Sequence, residues 1–417
     1  MKKLSKYSIG MGDRFERSKS AQLKAVEQAW QEGIEVAPVW NKSHREHLTV
    51  NSFPVETARS VAQTIKDRNW QHDYFLDADH IRSANVTAFL PHCNFFTVDV
   101  ANSIGIPATN DTVKRMMEQA YLHQLDGAHH IRGVDEPLII SQNEIEKLSG
   151  KYLLAIEEVG RTWRLIREKR KADDFVLEVS MDETSSAMNS LEFTFLLFLL
   201  AQEGVPVQTI APKFTGRFNK GVDYSGDVKA FEKQFGEFLA IIRYAVHHWK
   251  LPANLKLSIH TGSDKFRLYP VMNRCIKQYN TGLHLKTAGT TWLEEVIGMA
   301  ASGGEALDFV KTIYCEALNR QEELLKPYSE VIEVDPAELP SEDTARGFDA
   351  DTWVATLEHN TEKSRYNPSA RQLMHCAYKL AAERQQLFWK LRLECMRQID
   401  QLVTANLFER HIKPLFG

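Results

Sequence analysis

Short runs in which apolar and polar positions alternate, the period of a half-buried strand, recur along this chain. Between them apolar residues return every three or four positions, the period of a helix facing a core. The alternating runs predict eight strands, at residues 7–10, 35–40, 73–79, 94–100, 175–181, 207–213, 255–261 and 283–287. Helical spacing fills the intervals, for example 55–68, 191–203 and 231–249. A strand followed by a helix, repeated, predicts a parallel sheet with helices outside, and eight repeats predict closure into a (β/α)8 barrel of the TIM type. The interval between the fourth and fifth strands is long, about seventy residues against ~30 for a βαβ unit. Residues 101–173 are therefore expected to carry extra helices, with Pro137-Leu138-Ile139-Ile140 as a rival strand.

After Leu325 the pattern changes. Residues 328–348 are rich in Pro, Asp, Glu and Ser and read as a linker around a short strand at 331–334, and 367–412 have helical composition without strand signals. The expected organisation is a barrel over 1–327, a linker over 328–348 and an α-helical appendage over 349–417 that packs on the barrel, a lid over a substrate being the alternative. The greasiest run, 193–201, follows Glu192 and contains Thr194. Nine residues are too few to span a bilayer, so it is expected to be a buried helix face.

Composition narrows the function classes. A chain of 417 residues with 43% hydrophobic content can bury a large core. A net charge of −4 with both signs interspersed implies no nucleic-acid or membrane-surface partner. Five scattered cysteines without a CxxC pair suit reduced thiols, and no apolar stretch follows the basic N-terminus as a signal peptide would require, so a cytoplasmic location is expected. The turn Gly10-Met11-Gly12-Asp13-Arg14-Phe15 does not fit GxGxxG and no Walker motif occurs, so no nucleotide cofactor is expected. A homo-oligomer is compatible with all of this.

Candidate chemistry gathers where predicted strands end, which is where a TIM-type barrel places its active site. The third strand ends in Asp79-His80, the seventh in His260-Thr261-Gly262-Ser263-Asp264-Lys265, and the eighth contains His284 and Lys286. His284 and Lys286 share one face of their strand while Leu283 and Leu285 take the other, so the polar pair is expected in the lumen. Three histidines at three strand ends suggest a divalent metal held by His80, His260 and His284; imidazole suits Zn, Ni, Co or Fe, and Mn if carboxylates join. Asp79 and His80 reach one site only if the strand ends there; otherwise Asp77 and Asp79 would cap a following helix. The fifth strand offers Glu178 and then Asp182-Glu183-Thr184, from which an acid opposite an Asp79 base could come, unless Asp182 or Thr184 caps a helix starting near Ser185. Asp227 is a further metal candidate, although an aspartate after glycine often serves a turn. Lys213, Lys265 and Lys286 with Arg14 would form a cationic rim for a small oxygen-rich anion, a sugar acid or sugar phosphate.

Taken together, the Gly10-Met-Gly-Asp-Arg-Phe15 turn, Asp79-His80, the His260–Lys265 run and Leu283-His-Leu-Lys-Thr287 resemble the tagaturonate epimerase family of hexuronate catabolism, over most of residues 7–290. The resemblance implies a metal-dependent interconversion of D-tagaturonate and D-fructuronate on a small-molecule sugar acid. It places the base on Asp79, a metal ligand on His80, another on His260, and the proton donor on the fifth-strand acids, foremost Glu183. It leaves the third ligand open between Asp227 and His284. The two keturonates differ at the carbon β to the ketone, whose C–H is too weakly acidic for simple deprotonation, so a retro-aldol route with one base, one acid, a metal and a cation for the carboxylate is implied. A metal-dependent aldolase or ketose isomerase would use the same groups, and a non-catalytic sugar-acid-binding barrel would bind without turnover.

Overall fold

A computed structural model describes residues 2–170, 174–182, 184, 186–287 and 289–417. Eight parallel strands close into a barrel: β1 Tyr7–Gly12, β2 Val36–Ser43, β3 Phe75–Ile81, β4 Phe95–Asp99, β5 Val176–Ser180, β6 Thr209–Ala211, β7 Lys256–His260 and β8 Leu283–Thr287. They pair in sequence order and β8 returns to β1, with Ser8 opposite His284 and Gly10 opposite Lys286. This is the (β/α)8 barrel that the alternation predicts. The long interval carries helices Asn110–Leu122 and Gln142–Arg170. The rival strand exists as Leu138–Ile140, but it pairs antiparallel with Gly127–His129 outside the barrel. The apolar run lies in helix Ser190–Glu203, buried from Phe193 to Leu200. Its N-cap is Asn189, not Asp182 or Thr184, because Asn189 and Glu192 satisfy each other's backbone donors in a capping box.

Alternation sorts the lumen into layers. At its N-terminal end Leu4, Ala37, Val39, Phe75, Phe95 and Val176 form a small apolar plug. Two residues further along their strands the inward positions become Asp77, Thr97 and Glu178, and two further Asp79, Asp99 and Ser180, all buried. An apolar floor thus supports a polar layer, and the reactive groups stand at the mouth. Gly10 makes room in the wall: a Cβ there would come within 3.0 Å of Lys286 Cγ and 3.3 Å of Asn41 Oδ1.

The C-terminal region is helical from Pro368–Cys376 to Lys413–Phe416. It packs on helices Lys19–Gln31 and Thr290–Ser302 and shares one continuous core with the barrel. Residues 331–334 form no strand: their backbone pairs with no sheet, and Val331 O accepts instead from the Lys220 amide at 2.8 Å. Segment 328–331 consequently lies against the barrel mouth. Among the described residues no helix is long and apolar enough to cross a membrane.

Candidate active site

The mouth opens into a cavity of about 490 Å³, within the range of small-molecule sites, lined by Asp79, His80, Asp182, Lys213, Lys220, His260, Lys286, Tyr328 and His375 among others. How Asp79 and His80 both face it is a backbone matter. His80 has φ +53°, a left-handed conformation costing a non-glycine residue about 1–3 kcal/mol, and the β3–β4 register shifts between Ala78 and Ile81. The strand's alternation is broken at the one place where two neighbours must face the same way.

His80, Asp182 and His260 each turn one ligand atom to a common point, all within 4.8 Å of one another. His260 Nδ1 lies 3.1 Å and His80 Nε2 3.7 Å from Asp182 Oδ1, yet neither nitrogen makes a hydrogen bond. The other nitrogen of each ring is held by a carboxylate: His80 Nδ1 by Asp79 Oδ1 at 2.8 Å, and His260 Nε2 by Glu178 Oε1 at 2.8 Å. A carboxylate behind each imidazole keeps an N–H on that side, so that a cation displacing the forward proton would meet a lone pair, the usual support of metal-binding histidines. The donor set therefore fits a divalent cation.

Behind this group Lys286 crosses the lumen. Its Nζ is 2.8 Å from Asp77 Oδ2, 3.0 Å from Asp79 Oδ1 and 2.9 Å from Glu178 Oε1, and it donates to Thr97 Oγ1 at 2.8 Å. One ammonium thus faces three carboxylates, with Asp182 a fourth nearby. The electrostatics follow. Burial pushes Asp77 up to about 6 despite Lys286. Burial acts the same way on Asp79 and Glu178, but Lys286 and the histidines overcome it and hold both below the usual carboxylate range. Burial would lower His260, yet Asp182 and Glu178 raise it to about 9; Asp79 and Asp182 likewise raise His80 well above its ordinary value. An excess of negative charge is what a divalent cation would offset.

Several sequence-derived candidates fall elsewhere. His284 sits one layer deeper, its Nδ1 2.9 Å from Ser8 Oγ and its ring 5.3 Å from Phe95, where burial lowers its pKa to about 3. It is outside the converging group. Asp227 is exposed and caps helix Val228–Trp249, accepting from the Lys229 amide at 2.8 Å, so its carboxylate serves the turn chemistry. Lys265 is fully buried, and its Nζ donates to the carbonyls of Asn219 (2.9 Å), Val222 (2.8 Å) and Asp264 (3.1 Å), bracing a loop instead of facing the cavity. Glu178 is likewise fully buried behind His260 and does not line the cavity. Glu183 lies outside the described residues. Arg14 reaches the cavity wall, but its fork is engaged by Glu46 and His375. Lys213 lines the cavity, and neither it nor Lys220 has a carboxylate partner among the described residues.

Asp182, expected above as an acid or a helix cap, is instead a potential ligand. Asp77, which has the inward parity of Asp79, and Lys220, in the loop after β6, were not singled out by the sequence pattern. His375 carried no local signal.

Comparisons with known proteins bear on the family and the fold. Residues 1–414 match the family model described as tagaturonate epimerase (UxaE). A tagaturonate/fructuronate epimerase of Thermotoga maritima is 24% identical over 432 residues, covering 98% of this chain and 81% of the relative. A glycerol-complexed crystal structure of the fructuronate-tagaturonate epimerase of Cohnella laeviribosi has the same fold, with TM-score 0.80 at 22% identity, covering 100% of this chain and 82% of that one. The native crystal structure of that protein gives TM-score 0.80 at 21% identity with the same coverage. With the match running from residue 1 to 414, this chain belongs to the tagaturonate epimerase family and is an enzyme of the isomerase class.

Proposed function

We propose that this chain interconverts D-tagaturonate and D-fructuronate by a retro-aldol route, with a divalent metal held by His80, Asp182 and His260. One observation carries the proposal: two buried imidazole nitrogens face an aspartate oxygen without hydrogen bonds, while carboxylates hold their opposite nitrogens. Two imidazoles and a carboxylate suit Zn, Ni, Co or Fe, with Mn less favoured. Such an ion, when bound, supplies Lewis-acid polarisation of substrate oxygens.

Asp79 is the base. Its Oδ1 is fixed by Lys286 and His80, and its Oδ2 makes no hydrogen bond among the described residues. It takes the proton of the hydroxyl on the carbon β to the ketone, and the bond from that carbon to the carbon α to the ketone breaks, its electron pair passing onto the ketone oxygen as an enolate and leaving an aldehyde. The aldehyde turns, the enolate adds to its other face so that the bond re-forms, and an acid returns a proton to the new alkoxide; proton exchange with solvent then resets Asp79 and that acid. Glu183, next to Asp182 in sequence, is that acid in this proposal. Lys213 and Lys220 anchor the sugar-acid carboxylate; Lys286 is committed to holding three carboxylates in register. All five cysteines are buried free thiols, which supports a reducing compartment such as the cytoplasm.

The test is product identification. Protein stripped by a chelator is reloaded with Zn, Ni, Co, Fe or Mn in turn and given D-fructuronate. Metal-dependent formation of D-tagaturonate without three-carbon fragments is expected. Accumulating three-carbon fragments would indicate an aldolase, a carbonyl moved by one carbon an isomerase, and either result would sink the proposal.

A further inference from the structure

Within the reading of this cavity as a uronate site, we infer that His375, from the C-terminal helices, is a substrate-binding residue whose Nδ1–H donates to a substrate oxygen and is presented to the cavity by Arg14. His375 lies in helix Pro368–Cys376 and is fully buried, yet it is among the residues that line the cavity shared by His80, Asp182 and His260. Arg14 Nη2 is 3.1 Å from His375 Nε2, and Arg14 Nη1 donates to the His375 carbonyl at 2.9 Å. A guanidinium has five donors and no acceptor, so Nε2 must be the acceptor here and the neutral ring carries its proton on Nδ1. Burial, then Arg14, Lys220, Arg371 and Lys265, hold the ring neutral by keeping its pKa well below the ordinary value. Nδ1 has no partner among the described residues.

The surroundings fix that donor in place. Arg14 is itself held by Glu46 Oε1 at 3.3 Å and stacks on the Tyr378 ring at 3.9 Å. Trp292 Nε1 donates to the Met374 carbonyl at 2.7 Å, anchoring the preceding residue. Gly289, just after β8, accommodates the ring edge: a Cβ there would overlap Cε1 and stand 2.8 Å from Nδ1. The ring's polar contacts are spent on position, and Nδ1 alone is left without a partner, beside Gly289, which lines the same cavity. An unmet buried donor is unfavourable in the free protein, and a polyhydroxy acid brings the oxygen that satisfies it. Arg14 is then a positioning residue, not an anion ligand.

Two measurements test this. In a ¹⁵N-histidine spectrum, with His375 assigned by its disappearance in His375→Phe, a neutral Nδ1–H tautomer is expected from pH 6 to 8, and the proton should shift when D-tagaturonate is added. In kinetics, His375→Phe should keep full metal content while kcat/KM falls roughly tenfold, the scale of one lost hydrogen bond. His375→Asn, whose amide N–H reaches the place of Nδ1, should recover most of that loss. An Nε2–H tautomer, or a His375→Phe variant with unchanged kcat/KM, would overturn the inference. Absence of uronate turnover in the parent protein would instead defeat the functional reading. The His375 resonance then decides the inference alone: a shift with D-tagaturonate sustains it, and no shift overturns it.

Discussion

Two buried polar clusters in this molecule are each built around histidines, aspartate and one cationic side chain. One, at the barrel mouth, joins His80, Asp182 and His260 to Asp79, Glu178 and Lys286. The other joins Asp264, in the loop after β7, to the C-terminal helices. Asp264 Oδ2 accepts from Arg371 Nη2 at 2.7 Å and lies 3.0 Å from His359 Nδ1; its Oδ1 accepts from Thr290 at 3.1 Å and lies 3.2 Å from His411 Nε2. His411 Nδ1 is 2.6 Å from the Tyr269 hydroxyl, and Arg371 also donates to the carbonyls of Gly221 and Leu357. Asp264, Arg371 and His411 leave no buried side-chain polar atom unpartnered. The mouth leaves three: His80 Nε2, His260 Nδ1 and Glu178 Oε2. Each such atom costs about 1–3 kcal/mol. Saturation marks the cluster that holds the fold together, and unsaturation at a cavity marks the one prepared for a ligand.

Substitutions can break that distinction or sharpen it. The largest effect is expected from His260→Ala, which should abolish metal binding and lower turnover by more than the roughly 10–100-fold typical of a supporting partner. Thermal stability should stay near that of the metal-stripped parent, because Glu178 keeps Lys286 and Thr97 when His260 is lost. Arg371→Met should do the reverse. It leaves Asp264 charged and buried with its strongest partner gone, so unfolding by denaturant should show a loss of about 3–5 kcal/mol with metal content intact. Glu178→Gln lies between them. It keeps the shape but weakens the grip on His260, so metal affinity measured by titration should fall about 10–100-fold.

The smallest effect concerns acid. Burial would raise Asp264, but Arg371 and the two histidines hold it well below its ordinary pKa. A carboxylate depressed in the folded state contributes stability above its unfolded pKa and loses it as pH falls toward the folded value. Relative to the parent, Asp264→Asn should therefore lose stability least below about pH 4, with its acid limb flatter by up to about 1.4 kcal/mol per pH unit. Parallel acid limbs in melting curves would show that the charge of Asp264 contributes nothing.

The contrast also explains what the sequence could tell. All eight barrel strands were legible because their alternation is a local property: Leu283 and Leu285 turn out, His284 and Lys286 turn in. His80 and His260 were legible because each lies at the C-terminal end of such a strand, His260 as its last residue and His80 as the last but one. The run His260–Lys265 nevertheless divides between the two clusters. His260 serves the mouth, Asp264 the C-terminal helices, and Lys265 a loop, and nothing in their spacing separates them. Their partners are distant: Arg371 is 107 residues from Asp264 and His411 is 147. His375 became visible only once Arg14, 361 residues away, was seen to grip it. Residues 331–334 were misread as a strand because β-branched composition is local, whereas their contacts are with the barrel mouth.

The most direct test sets the two clusters against each other in one experiment. His260→Ala and Arg371→Met are purified without chelator beside the parent protein, a portion of which is then stripped of metal, and metal per chain and melting temperature are measured for each. The expected result is a metal-free His260→Ala that melts near the metal-stripped parent, and an Arg371→Met that keeps its metal and melts well below the metal-loaded parent. Stoichiometric metal in His260→Ala would contradict the account, because the ion would then be held somewhere other than by His80, Asp182 and His260.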